Sequence, residues 1–266
     1  MKRAVVLATA LTVGMGAAAA QETPLKVLAA GSLRAALTEA AKAFEAASPG
    51  RRVELGFGAS GLLKDRLLGG ERADVFASAN MEHPQALAAA GKAAAPQAFA
   101  RNKLCALGAA GFDATPQTLV DRLLDPAVRI GTSTPKADPA GDYAFAMFER
   151  IEKSGRAGAN RVLSDKALQL TGGPNSPPPP KDRNVYAALL AAGAADVFLT
   201  YCTNIVVAQR EEPALRRIEI PDSVNVSADY GVTVLGGAAE AAQPFVQFLL
   251  SPAGQAVLAR HGFAAP

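Results

Sequence analysis

Residues 54–67 read Glu54-Leu55-Gly56-Phe57-Gly58-Ala59-Ser60-Gly61-Leu62-Leu63-Lys64-Asp65-Arg66-Leu67. A strand-like run from Arg52 to Gly56 passes through a glycine turn into a helix-like run from Leu62 to Leu68. Strand, tight turn and helix in that order form the repeating unit of parallel α/β sheets. The same unit precedes it. Leu25 to Ala29 reads as a strand, and Leu33, Leu37, Ala40, Ala41 and Phe44 recur at helical spacing up to Ala47. Another follows, with a strand from Ala73 to Ala77 and a helix near His83 to Ala90. This βαβαβ opening predicts a parallel sheet flanked by helices.

Gly56, Gly58 and Gly61 also spell G-x-G-x-x-G, the spacing of a dinucleotide-binding turn. That fingerprint needs an acidic residue about 20 positions on, at the end of the second strand, to hold a ribose hydroxyl. Asp74 lies at about that distance but begins its strand, and the strand ends in Ser78, Ala79 and Asn80. A dinucleotide is therefore not the expected ligand.

The N-terminus implies export. Met1-Lys2-Arg3 is basic, Ala4 to Met15 is mostly apolar, and Gly16 to Ala20 supplies small residues before Gln21. Residues 1–20 read as a signal peptide, too short for a membrane span. Removing these twenty from 266 leaves 246 residues, and losing Lys2 and Arg3 takes the formal net charge from +3 to about +1. That balance, with no Trp and only 4 Tyr, argues against nucleic acid. Two cysteines, Cys105 and Cys202, remain. An exported chain favours pairing them, while their apolar neighbours also suit buried thiols. Without C-x-x-C, and with only His83 and His261 far apart, a zinc site is not expected.

The pattern restarts further on. Strands are expected at Lys103 to Leu107, Arg129 to Gly131, Ala195 to Tyr201, Arg217 to Ile220 and Gly231 to Leu235. Helices are expected at Pro116 to Leu124, Asp142 to Lys153, Val185 to Ala192, about Ala241 to Leu249, and Pro252 to His261. Thr171 to Ser176, followed by Pro177 to Pro180, cannot continue a helix or a central strand. It reads as an ordered surface loop, with a partner-docking segment as the other reading.

Ser60 stands between the glycines and the helix, at an N-cap position where unpaired N–H groups favour an anion. Ala29-Ala30-Gly31-Ser32-Leu33 is built the same way. In the second half, Asp138-Pro139-Ala140-Gly141-Asp142 opens the Tyr143 helix, and Lys181-Asp182-Arg183-Asn184 opens the Val185 helix. Four helix starts, two from each half, are placed to converge on one small anion at the C-terminal strand ends. Four independent caps would give the same list. Enzyme signatures are weak: Ser133-Thr134-Pro135-Lys136 fits S-x-x-K, but Pro135 and Pro139 oppose the helical turn it needs, and no G-x-S-x-G exists.

Together, Ala29-Ala30-Gly31-Ser32-Leu33, Phe57-Gly58-Ala59-Ser60, Ala73-Asp74-Val75-Phe76-Ala77-Ser78-Ala79, Pro139-Ala140-Gly141-Asp142-Tyr143 and Arg260-His261-Gly262-Phe263 resemble the periplasmic molybdate-binding proteins, solute-binding components of ABC importers. The resemblance covers nearly the whole mature chain. It implies a type II periplasmic-binding-protein fold, with two α/β lobes, each a mixed, mainly parallel sheet flanked by helices, and the ligand in the cleft between them. The corresponding division is lobe 1 over 21–100 and 229–266, and lobe 2 over 101–228. Also implied are ligand contacts from the Ser32 and Ser60 hydroxyls, the Ala140 N–H and the Tyr201 hydroxyl, closing on molybdate or tungstate without a cofactor or balancing cation. Alternative ligands are sulfate, phosphate or a small organic acid. The expected partner is a membrane permease, and a monomer is expected. The sequence departs from the family's pattern where an aliphatic residue opens the fourth helix. An ungapped count back from Tyr201 reaches Arg183, while a shift of two reaches Val185. An inward Arg183 would suit a larger or more highly charged anion, and an outward one is a solvated surface charge.

Overall fold

The computed structural model describes residues 23–180 and 182–266. The expected signal peptide, and Lys181 at the start of the Val185 helix, lie outside them. Strand β1 (Leu25–Ala30) leads through a 3-10 turn (Gly31–Leu33) into α1 (Arg34–Ala47). Then come β2 (Val53–Gly58), α2 (Ser60–Leu68), β3 (Val75–Ser78) and α3 (Glu82–Ala89). The strands pair in parallel as β2–β1–β3, as the opening βαβαβ pattern requires. β1 is almost wholly buried because helices cover both faces of a parallel sheet. The helical stripe Leu37, Ala40, Ala41 and Phe44 is buried, with Phe44 edge-on to Phe245 at 5.2 Å.

The second half contains β4 (Gln97–Gly108), α4 (Leu119–Leu124), β5 (Ile130–Ser133), α5 (Pro139–Lys153), α6 (Ala159–Lys166) and β6 (Ala167–Thr171). It continues through α7 (Val185–Ala191), β7 (Val197–Tyr201), α8 (Cys202–Glu211), β8 (Arg216–Glu219) and β9 (Ser227–Val234). The chain closes with α9 (Ala242–Leu250) and α10 (Pro252–Arg260). The sheet runs β2-β1-β3-β9-β4-β7-β5-β6, with β8 pairing β4. Two strands join its halves. β9 pairs β3 at one end and β4 at the other, while β4 pairs β9 over Gln97–Lys103 and β7 over Leu104–Gly108. This is an α/β, two-lobed periplasmic-binding-protein fold with a mixed sheet and flanking helices.

Three elements depart from the sequence expectation: α6, β6 and α8 were not anticipated. β6 is an edge strand, exposed over much of its length, so it lacks a period-2 pattern. α8 begins at Cys202-Thr203-Asn204, residues of modest helix propensity, and is held by burying Ile205 and Ala208. β4 is also much longer than the run Lys103 to Leu107 suggested, because its first half crosses between lobes and carries charged residues. Pro177–Pro180 form an exposed irregular segment.

Candidate functional site

Ser60 is the first residue of α2, and Ala59 is its N-cap. This corrects the expectation that Ser60 itself caps the helix. Its hydroxyl reaches instead to the end of β3, where Oγ accepts the Ala79 N–H at 3.1 Å. Ser60 is 1 % exposed. With Oγ accepting from Ala79, the serine's own hydrogen remains for a ligand acceptor.

Ser32 lies in the 3-10 turn after β1, with Oγ 2.9 Å from the Tyr230 hydroxyl. Asn102 Nδ2 donates to that hydroxyl at 3.3 Å and to Thr203 Oγ1 at 2.8 Å. Either hydroxyl can donate in the Ser32–Tyr230 bond; where Tyr230 is the donor, the Ser32 hydrogen is left for a ligand acceptor.

Tyr201 ends β7 and is buried. Its hydroxyl donates to the Ala79 carbonyl at 3.4 Å, and its ring lies 5.5 Å from Tyr230 and 6.3 Å from Tyr143. Burial pushes the Tyr201 phenol well above its ordinary value, so it stays protonated, and its one hydrogen reaches a ligand by leaving the long bond to the Ala79 carbonyl. Ala79 is thus held on both sides: its N–H by Ser60 of α2, its C=O by Tyr201 of β7.

Ala140, the second residue of α5, is buried, and its N–H donates to the Asp138 carboxylate at 3.1 Å. Asp138 is the N-cap and Pro139 the first helical residue, a pairing that suits a helix start. Burial is the largest influence on Asp138 and raises its carboxyl to about 6, against the lowering effect of hydrogen bonds from Ala140 and Ser133. Gly61 at the start of α2 donates its N–H to the Ala137 carbonyl at 2.8 Å, so α2 and the loop before α5 touch across the cleft.

Arg183 lies away from this group. Its Nε is 2.9 Å from Glu211 Oε1 and its side chain is 49 % exposed. Val185 begins α7 and is half-buried. The Tyr186 and Ala187 N–H groups at that helix start are taken by Asn184 Oδ1 at 3.0 and 3.1 Å. The fourth helix start is therefore self-capped, which corrects the expectation that its N–H groups are open to an anion. Ser32, Ser60 and Tyr201 come together through Ala79 and Tyr230, and Ala140 joins them across the Gly61–Ala137 contact.

Sequence reasoning missed Ala79, Tyr230 and Asn102 as parts of the site. Tyr230 and Asn102 come from the two crossing strands, whose juxtaposition no local pattern announces. The Arg260-His261-Gly262-Phe263 stretch helps to hold them: Phe263 lies edge-on to Tyr230 at 5.4 Å, and His261 Nε2 is 2.7 Å from Glu39 of α1. Cys105 and Cys202 are joined as a disulfide, which ties β4 to the residue after Tyr201. A separate open cavity of about 450 Å³, lined by Pro116, Val120, Arg156, Pro221 and Val224 among others, contains none of the expected site residues.

The chain is 37 % identical over 240 residues to an uncharacterized protein of Pasteurella multocida, covering 90 % of this chain and 98 % of that one. It is 30 % identical over 243 residues to the molybdate-binding protein ModA of Mycobacterium bovis, covering 90 % and 84 %. Among solved structures, the sulfate-binding protein SubI of Mycobacterium tuberculosis superposes with a TM-score of 0.77 at 18 % identity, covering 92 % and 87 %. Relatives of this kind are solute-binding proteins and not enzymes. Residues 25–264 match the description of one family over almost the whole described chain, and the protein belongs to the bacterial extracellular solute-binding proteins.

Proposed function

We propose that this protein is the periplasmic binding component of an ABC importer, capturing a tetrahedral oxyanion, molybdate or tungstate, and delivering it to a membrane permease. The observation that carries the reading is the linking of Ser60 and Tyr201 through Ala79, with Ser32 joined to them through Tyr230, whose ring lies 5.5 Å from that of Tyr201. All three are neutral hydroxyls, and such donors can meet an anion's charge without a balancing cation. Hydrogen bonds to a charged acceptor contribute about 1.5–3 kcal/mol each. Several together offset much of the cost of dehydrating the anion. The similarity to a molybdate-binding protein over 90 % of this chain favours that ligand.

In this reading residues 21–100 and 229–266 form lobe 1, residues 101–228 form lobe 2, and β4 and β9 act as the hinge. Ser32 and Ser60 bind from lobe 1, and Tyr201 and the Ala140 N–H from lobe 2. Arg183 is left out of the donor set, since Glu211 engages its guanidinium. The protein acts as a monomer without a cofactor. Sulfate is the second reading, favoured by the fold shared with a sulfate-binding protein.

A thermal-shift panel of molybdate, tungstate, sulfate, phosphate and small organic acids tests the assignment. A ligand that binds only the folded state raises the melting temperature; at a hundred times its Kd the gain is about 2.7 kcal/mol. Molybdate and tungstate are expected to give the largest shifts at micromolar concentration. A shift confined to organic acids would remove the oxyanion reading.

A further inference from the structure

Asp138 stands where a carboxylate works against the proposed ligand. Its Oδ1 accepts the Ala140 N–H, the one backbone donor that the second lobe offers the anion. A bound oxyanion must therefore displace Asp138 from that N–H or share it. The carboxylate cannot swing away easily. Gly172, at φ +74°, packs so closely that a Cβ there would lie 2.5 Å from Asp138 Oδ2. Gly173 is packed in the same way on Thr134, where a Cβ would approach Oγ1 to 2.6 Å. Gly172 thus forms a wall behind Asp138, and Gly173 fixes the same turn against Thr134.

Building on the oxyanion reading, we propose that Asp138 makes capture of a fully deprotonated oxyanion proton-coupled: the carboxyl takes up one proton as the anion binds and then donates it to an anion oxygen. The proton comes from solvent, no bond to the anion is broken, and the net charge of the closed site becomes one unit less negative. Two negative groups within hydrogen-bond reach in a partly enclosed site repel strongly, and protonating one converts repulsion into a hydrogen bond.

The surroundings favour uptake at Asp138 over any other group. From α5 itself, Asp142 adds negative charge, and its own carboxylate accepts the Lys136 N–H at 2.7 Å. From β7, β9 and α7, the Tyr201, Tyr230 and Tyr186 phenols feel the Asp138 charge and are held protonated by burial. From β5, Ser133 offers only a hydroxyl. Among the described residues no ion pair holds Asp138, so no cation already neutralises it. With its carboxyl at about 6 before the anion arrives, the proton is close to available at neutral pH.

Titration calorimetry with molybdate and with sulfate, from pH 6 to pH 8, tests the coupling on the full mature chain. Neither anion changes its own charge in that window. For a group that titrates at about 6, the wild-type Kd is expected to rise roughly fifty-fold between pH 6 and pH 8. About one proton should be taken up per anion at pH 7.5, read from the heat in buffers of different ionisation enthalpy. Asp138→Asn keeps a good N-cap and removes the titration, so its Kd should vary less than about three-fold across the window. Asp138→Ser serves as a second variant if the first folds poorly. Binding by the wild type with a flat pH profile and no proton uptake overturns the coupling while leaving the oxyanion reading intact. A total absence of oxyanion binding at every pH overturns the oxyanion reading, and the coupling with it.

Discussion

Ser60 holds two hydrogen-bond roles in one atom, and its substitution separates them. Ser60→Ala removes the donor to the ligand, and it also leaves the Ala79 N–H without its acceptor. The first loss is expected to weaken oxyanion binding at least tenfold, and the second to cost about 1–3 kcal/mol of stability. Tyr201→Phe is the cleaner probe, because the ring contacts with Tyr143 and Tyr230 survive while the hydroxyl goes. It should lose about tenfold in affinity and about 1 kcal/mol or less in stability, measured by calorimetry and urea denaturation. Affinity unchanged in Tyr201→Phe would take the hydroxyl out of the site. His83 gives a different residue-level test. It is buried, its Nε2 has no hydrogen-bond partner among the described residues, and burial followed by the nearby Lys64 charge lowers it to about 4. A base lowered on folding contributes stability that is present above its unfolded value near 6.5 and is lost as pH falls toward 4. Wild type minus His83→Gln should therefore shift against the wild type by about 3 kcal/mol between pH 7 and pH 4. Taking the difference cancels Asp138, whose raised value works in the opposite sense over roughly the same interval.

At the scale of elements, the three glycines of Gly56 to Gly61 have three separate uses, none of which needs a left-handed backbone. A Cβ at Gly56 would lie 2.7 Å from the Leu28 side chain of β1, and one at Gly58 would press on Leu63. Gly61 serves the cleft. A Cβ there would sit 2.3 Å from the Lys136 carbonyl and 2.7 Å from that of Ala137, both backbone atoms that cannot yield cheaply. The facing loop is itself constrained, with Lys136 at φ +67°. Gly61→Ala is thus expected to fold normally and bind oxyanion at least tenfold more weakly; equal affinity would show that α2 and this loop need not meet. The disulfide belongs to the same scale, since it fixes β4 against the start of α8 beside Tyr201. Replacing Cys105 and Cys202 by alanine together should cost about 2–4 kcal/mol in chemical denaturation. The first βαβαβ unit, the α1 stripe and the Asp138-Pro139 helix start were legible because each is written in neighbouring residues. The turns that carry Ser32 and Ser60 were legible for the same reason, but the bond of Ser60 to Ala79 in place of its own helix start was not. The self-capping of α7 by Asn184, and the meeting of Tyr230 with Ser32 across 198 positions, were not. Those depend on strand pairing and on which of several polar neighbours reaches an N–H first.

For the molecule as a whole, the two crossing strands decide what motion is available. β4 and β9 pair with each other from Gln97 to Lys103, and each continues into a different lobe. Bending at this short ribbon opens the cleft without breaking either lobe's parallel sheet, which is the arrangement required for hinge closure. Among the described residues, the bonds across the cleft mouth include Gly61 to Ala137 at 2.8 Å and Tyr201 to Ala79 at 3.4 Å. In the proposed reading, an anion that bonds to Ser32 and Ser60 on one side and to Ala140 and Tyr201 on the other stabilises the closed form, since only that form offers both sets. Small-angle scattering of the mature chain with saturating molybdate should give a radius of gyration near the roughly 18 Å expected of a compact chain of this length. Without ligand the radius should be measurably larger, and Gly61→Ala should remain larger even with ligand present. Identical radii in all three samples would mean that the closed form persists without an anion, so that binding selects nothing at the level of the hinge. In that case the affinity lost in Gly61→Ala would have to arise within the cleft itself.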